Sequence, residues 1–168
     1  MKSKNKIKLA IIGNGKWGKK IYQNFNKYKN IETTIFSKSG RGNSNKLTSM
    51  SKLKYYDLVY VATTEKKNSE FSRYLICNKI NTICEKPLFK NINVYKTLLN
   101  KNLYSLFKVN YIYKIYNNYL RINKIIKKRK IKKIFLFFSS TSKKNLFNEC
   151  KWEWLPHILS IVDYFGLL

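Results

Sequence analysis

Three glycines, Gly13, Gly15 and Gly18, follow the apolar run IKLAII and open the amphipathic stretch KWGKKIYQNF. A glycine triplet at this spacing, between a strand and a helix, is the arrangement that admits a pyrophosphate. The first glycine permits the tight turn and the second lets the backbone approach the ligand. The third allows helix and strand to pack closely, and the helix N-terminus faces the phosphates. Asn14, Lys16 and Trp17 fill the turn and would sit beside the same ligand. In dinucleotide sites an acidic residue about 20 positions further on accepts the ribose 2′-hydroxyl. Here that region supplies Ser37, Lys38 and Arg41. Cations cannot accept the hydroxyl proton but can neutralise a 2′-phosphate, which tilts the expectation from NAD toward NADP. The alternative is a solvated loop in a lysine-rich chain. The three cysteines, Cys77, Cys84 and Cys150, lack CxxC spacing, so neither a disulfide framework nor a metal site is expected.

Short apolar runs alternate with amphipathic ones along the chain, the rhythm of βαβ units. Strands are expected at 7–12, 31–36, 57–63, 81–85 and 104–110, with helices at 16–28, 67–79 and 93–102 between them. The segment 37–45 is rich in turn formers and reads as a loop. Strands and helices joined by short links imply a doubly wound parallel α/β sheet of the Rossmann type over 1–110. After Asn110 the pattern changes to a tyrosine-rich helix reaching about residue 128, a strand at 131–140 and a helix starting near Pro156. This second part, 111–168, reads as the incomplete start of an α+β substrate domain.

The net charge is +27 over 168 residues, and the cations are almost all lysine. The arginines are Arg41, Arg73, Arg121 and Arg129. Lysine, asparagine, isoleucine, tyrosine and phenylalanine, all with AT-rich codons, dominate the composition, and the charge is spread along the chain. Compositional drift on a solvated surface explains this better than nucleic-acid binding, which favours arginine and clustered charge. The run KIIKKRKIKK at 124–133 is the one segment that keeps a nucleic-acid reading open. The apolar stretch LAII is too short for a signal-peptide core, and no run reaches the length of a membrane span. A cytoplasmic protein with no membrane partner is expected.

With GNGKWG at 13–18, VYVATT at 59–64 and ICEKPL at 83–88, the chain resembles the glucose–fructose oxidoreductase/inositol dehydrogenase (Gfo/Idh/MocA) family. The segment WEWLPHILSIVDYFG resembles that family's later histidine segment, in a version similar to members linked to surface-polysaccharide sugar metabolism. The resemblance implies hydride transfer between NAD(P) and a sugar or nucleotide-sugar hydroxyl. It implies that Lys86 is the active-site lysine and His157 the acid/base histidine, with Glu153 in the position of the family's aspartate. Thr63, Thr64, Glu85 and Lys86 would border the cofactor. Family members carry a longer open sheet that forms the substrate wall and an oligomer interface. The chain therefore looks like the amino-terminal half of such an enzyme, a homo-oligomer if the whole domain were present. Whether it turns over is left open against a catalytically inactive nucleotide-binding form.

Overall fold

A computed structural model describes residues 6–86, 93, 96, 106–111, 117–128, 157–163 and 165. The chain forms two compact units, Met1–Asn110 and Tyr111–Leu168.

The first unit is built on β1 (Ile7–Ile12), α1 (Lys16–Phe25), β2 (Ile31–Ser37), β3 (Asn45–Lys46), a 3-10 helix (Met50–Tyr55), β4 (Leu58–Val61), α2 (Glu65–Cys77), β5 (Thr82–Cys84) and β6 (Phe107–Val109). The six strands pair in the order β3-β2-β1-β4-β5-β6, and every pairing is parallel. This is a Rossmann-type α/β sheet, as the alternating pattern predicts.

The side-chain period of two explains why helices cover both faces. Leu9 and Ile11 of β1 join Ile35 and Tyr60 under Ile21, Tyr22 and Phe25 of α1. Their neighbours Ala10 and Ile12 point the other way, into a cluster with Val59, Val61, Leu53 of the 3-10 helix and Leu75 of α2. A strand buried on both faces reads as a continuous apolar run, which is what LAII (9–12) is once β1 has passed the exposed Ile7 and Lys8. Each fully buried aliphatic side chain in these layers contributes about 1.5–3 kcal/mol relative to exposure.

The element ends differ from the pattern in ways with local causes. Helix α1 stops at Phe25, with Asn26 as its cap, because the next residues turn to start β2: the Tyr28 amide donates to Phe25 O at 3.1 Å and the Ile31 amide to Tyr28 O at 3.1 Å. Helix α2 begins at Glu65 after the N-cap Thr64 and ends at Cys77. Lys79 then takes a left-handed φ of 56°, and the Ile80 amide returns to Leu75 O at 2.9 Å. The segment 37–45 is not wholly a loop. Asn45–Lys46 adds an edge strand against Phe36 and Ser37, and the 3-10 helix that follows buries Leu53. A two-residue strand has no periodicity to read, and Leu53 stands alone among polar neighbours. In the helix expected at 93–102, residues 93 and 96 are helical and the rest lie outside the described residues.

The second unit contains α3 (Asn117–Lys128) and helical residues 157–163. Lys127 and Lys128 in the last turn of α3 oppose the negative end of its dipole. The strand expected at 131–140, and with it Cys150 and Glu153, lies outside the described residues.

Candidate functional site

All six strands end on one edge of the sheet, because they are parallel. The strand order turns back between β1 and β4, so a crevice opens where β1 gives way to α1, the place where such sheets take ligands. Three segments converge there: the glycine turn after β1, the end of β2, and Ala62–Thr64 after β4.

The glycines do different work. Gly13 has φ +114°, and a Cβ there would lie 2.3 Å from Ala62 O. Its amide donates to Phe36 O at 2.8 Å, fastening the turn to β2. Gly18 is buried in the first turns of α1, where a Cβ would lie 1.8 Å from Gly13 O. Both are glycine because the fold leaves no room. Gly15 is different. It is the N-cap of α1 in an extended conformation (φ −75°, ψ −179°), and a Cβ would meet nothing within 4 Å. Neither backbone strain nor packing requires glycine at this position.

The helix end that Gly15 caps has no side-chain cap and no acid in its first turn. Its leading amides, on Lys16, Trp17 and Gly18, therefore keep the orphan-donor character of a helix start and the positive end of the dipole. A cleft of about 520 Å³ opens beside this end. Gly13, Asn14 and Gly15 form one side. Ile12, Phe36 and Ala62 floor it, and Leu47, Met50 and Phe71 make an apolar wall. Ser37, Lys38, Thr63 and Thr64 also line it. Its volume falls in the range of about 300–1,000 Å³ typical of small-molecule sites.

The loop after β2 is held by a chain of hydrogen bonds. The Gly40 amide donates to Ser37 Oγ at 2.9 Å, Ser37 and Ser44 hydroxyls lie 2.8 Å apart, and Ser44 Oγ donates to Arg41 O at 2.6 Å. Since the Ser44 proton goes to Arg41 O, Ser37 is the donor between the two serines. Asn14 Nδ2 reaches the same carbonyl at 3.1 Å, tying the glycine turn to the loop. The Arg41 side chain is exposed, and Arg41 is not among the residues lining the cleft.

At the end of β5, Glu85 Oε1 accepts from Trp17 Nε1 at 2.5 Å, from Tyr60 OH, and from Asn110 Nδ2 at 2.9 Å. Asn68 Nδ2 on α2 donates to Glu85 O at 2.7 Å, and the Glu85 amide bonds Val61 O at 3.2 Å. Burial, followed by the adjacent carboxylate charge and its hydrogen bond, raises the Tyr60 pKa, so the phenol remains a donor. Lys86 follows, half-buried, in a bend. Tyr60, Asn68 and Asn110 escape a reading of sequence alone. The one available signal was a tyrosine inside a buried strand, whose hydroxyl needs a partner.

His157 belongs to the second unit. It is buried, Tyr111 meets its ring edge-on with centroids 6.4 Å apart, and Ser160 Oγ donates to His157 O at 2.8 Å. Lys124, Lys127 and Lys128, exposed on α3, are the cations of the basic run 124–133 that the structure describes, and Arg121 is exposed on the same helix just before it. Among the described residues no cluster of His, Cys, Asp or Glu could hold a metal ion, and no helix is long and apolar enough to cross a membrane.

A six-stranded parallel sheet with a glycine turn at its switch point defines the class as a Rossmann-type α/β fold. No protein-family model and no curated protein matches the chain. Solved structures do match. An NAD-binding protein from Listeria innocua superposes with a TM-score of 0.68 at 17% identity, over 94% of this chain and 54% of that one. The yvaA protein of Bacillus subtilis gives 0.71 at 17% identity, over 99% and 54%. A scyllo-inositol dehydrogenase from Lactobacillus casei, solved with NAD(H) and scyllo-inositol, gives 0.61 at 15% identity, over 74% and 42%. At these identities the likeness is one of fold. The chain spans about half the length of these structures.

Proposed function

We propose that this chain is a Gfo/Idh/MocA-type oxidoreductase that binds NAD(P) in the crevice at the α1 N-terminus and acts on a sugar or nucleotide-sugar hydroxyl. The observation that carries the nucleotide reading is Gly15, a glycine at a helix start with open space where its Cβ would be. A pyrophosphate approaching the uncapped amides would fill that space, so the residues present fit the cofactor. Asn14, Lys16, Trp17 and Gly18 shape the phosphate end, while Thr63 and Thr64 border the cleft beyond it. The match to inositol dehydrogenase folds and the stretch ICEKPL support the choice of substrate class.

Ser37 lines the same crevice, with its hydroxyl 2.8 Å from that of Ser44. A 2′-phosphate would be held by Lys38, which lines the cleft, with Arg41 adding charge from the loop. NADP(H) is the proposed preference.

Bound nicotinamide supplies the hydride acceptor or donor. In this reading the Lys86 ammonium orients the substrate hydroxyl and stabilises oxyanion charge, and His157 takes or returns its proton, with Glu153 in the role of the family's aspartate. Residues 1–110 serve as the nucleotide domain and 111–168 contribute to the substrate side. A reducing, cytoplasmic setting suits the free thiols of Cys77 and Cys84. Calorimetric titration of the chain with NADPH and NADH tests the proposal, followed by a search for reduced nicotinamide on incubation with NADP⁺ or NAD⁺ and a panel of sugars, inositols and nucleotide sugars. Absence of binding to either nucleotide would refute it.

A further inference from the structure

One carboxylate oxygen at the sheet's ligand edge gathers donors from three separate segments. Glu85 Oε1 takes Trp17 Nε1 from the first turn of α1, Tyr60 OH from β4 and Asn110 Nδ2 from the end of β6. Asn110 Nδ2 also donates to Tyr60 OH at 2.8 Å, closing a ring of contacts. Such convergence on one oxygen is the behaviour of an ionised carboxylate, whose charge-assisted bonds are about twice as strong as neutral ones. The main chain of Glu85 is fixed as well, by Asn68 of α2 and by Val61 of β4. Only the peptide between Glu85 and Lys86 separates this anchor from the lysine.

Trp17 is unusual in standing at both ends of this arrangement. Its backbone amide is one of the orphan donors beside Gly15, while its indole is held by Glu85. Lys20 Nζ lies 5.2 Å from the indole centroid on the same helix, which adds a cation to the ring face. Any shift of the first turn of α1 toward an anion must therefore be followed by the Glu85 carboxylate or break its hydrogen bond.

We infer that Trp17, through Glu85, is a positioning residue that couples occupation of the phosphate end of the crevice to the stance of Lys86. The inference rests on the nucleotide reading above. It requires that interactions at the far, nicotinamide end depend on the indole N–H, and that those of the phosphates and adenosine do not. Tyr60 and Asn110 act through the same carboxylate and share the role.

The test compares two ligands on the full 168-residue chain. One is NAD(P)H, whichever form the wild type binds more tightly. The other is the corresponding ADP-ribose, which lacks nicotinamide. Trp17→Phe removes the N–H and keeps an aromatic ring. It is expected to weaken NAD(P)H about tenfold and ADP-ribose by less than about threefold, as loss of one charge-assisted bond felt at only one end. Tyr60→Phe, which keeps the buried ring, is expected to show the same split and carries the test should Trp17→Phe fail to fold. Glu85→Gln retains an acceptor oxygen and is expected to lose less than Glu85→Ala. Equal losses for both ligands, or no loss for either, overturn the coupling while leaving nucleotide binding intact. A wild type that binds neither ligand overturns the nucleotide reading and this inference with it.

Discussion

Substituting the three glycines one at a time separates what the fold needs from what the ligand needs. In Gly18→Ala the new Cβ would lie 1.8 Å from Gly13 O, about half the contact optimum of about 3.5–4.0 Å. Backbone must move, and the carbonyl to be displaced belongs to the residue whose amide bonds Phe36 O at 2.8 Å. Overpacking costs about 1–3 kcal/mol and a weakened hydrogen bond about 0.5–1.5, so a loss of about 2–4 kcal/mol is expected. For a chain of this size that lowers the melting temperature by roughly 5–15 °C. Gly15→Ala meets nothing within 4 Å. The reduced freedom of the unfolded chain adds about 0.4–1 kcal/mol, and alanine's poorer standing as an N-cap removes a similar amount. Net stability should change by less than about 1 kcal/mol, yet NADPH affinity should fall about tenfold for alanine and about a hundredfold for valine, or some 1.4 and 2.7 kcal/mol. Thermal melts and fluorescence titration of NADPH on the same preparations read both quantities. Gly15→Val binding NADPH within threefold of wild type, or Gly15→Ala melting as low as Gly18→Ala, would refute the reasoning.

Cofactor choice is expected to favour NADP(H), with Arg41→Ala narrowing the preference by about tenfold and Lys38→Glu reversing it. A wild-type preference for NAD(H) of tenfold or more, in paired titrations, would show that neither cation meets the 2′-position. Lys86→Ala and His157→Ala should each lower kcat by about two to four orders of magnitude on any sugar the wild type oxidises. For His157→Ala the cofactor affinity should stay near wild type, and unchanged kcat in either variant argues against its role. Burial pushes the Cys84 thiol up to about 12, with the Ser72 hydroxyl opposing and the Glu85 charge adding to it, so alkylation near neutral pH should label exposed Cys77 and spare Cys84 in peptide maps. Because the folded pKa lies above the ordinary 9.0, the thiol's contribution to stability is fully present below that value and is lost as pH climbs toward 12. The urea midpoint of wild type should fall over that window more than that of Cys84→Ala.

Sequence alone determined five of the six strands and the place of the turn. LAII at 9–12 is apolar without a break because that part of β1 is buried on both faces, and local patterning of that kind survives in one dimension. The glycine spacing likewise marks a turn whose geometry is set within six residues, Gly13 to Gly18. Tertiary structure supplied the contacts behind the roles the glycine spacing implies. How tightly Gly13 O crowds Gly18, and how open the space at Gly15 is, depend on how α1 leans on β1. It also assigned Glu85 its donors. Trp17, Tyr60 and Asn110 lie on segments far apart in the chain and meet only because parallel strands bring their carboxyl ends to one edge. A polar group leaving water needs a partner with the right geometry, and such partners are selected by distance in space rather than along the chain. The edge strand Asn45–Lys46 and the burial of Leu53 were invisible for a related reason. Two residues of strand and one apolar side chain carry no period, and only the neighbouring β2 and α2 make them part of the sheet and core.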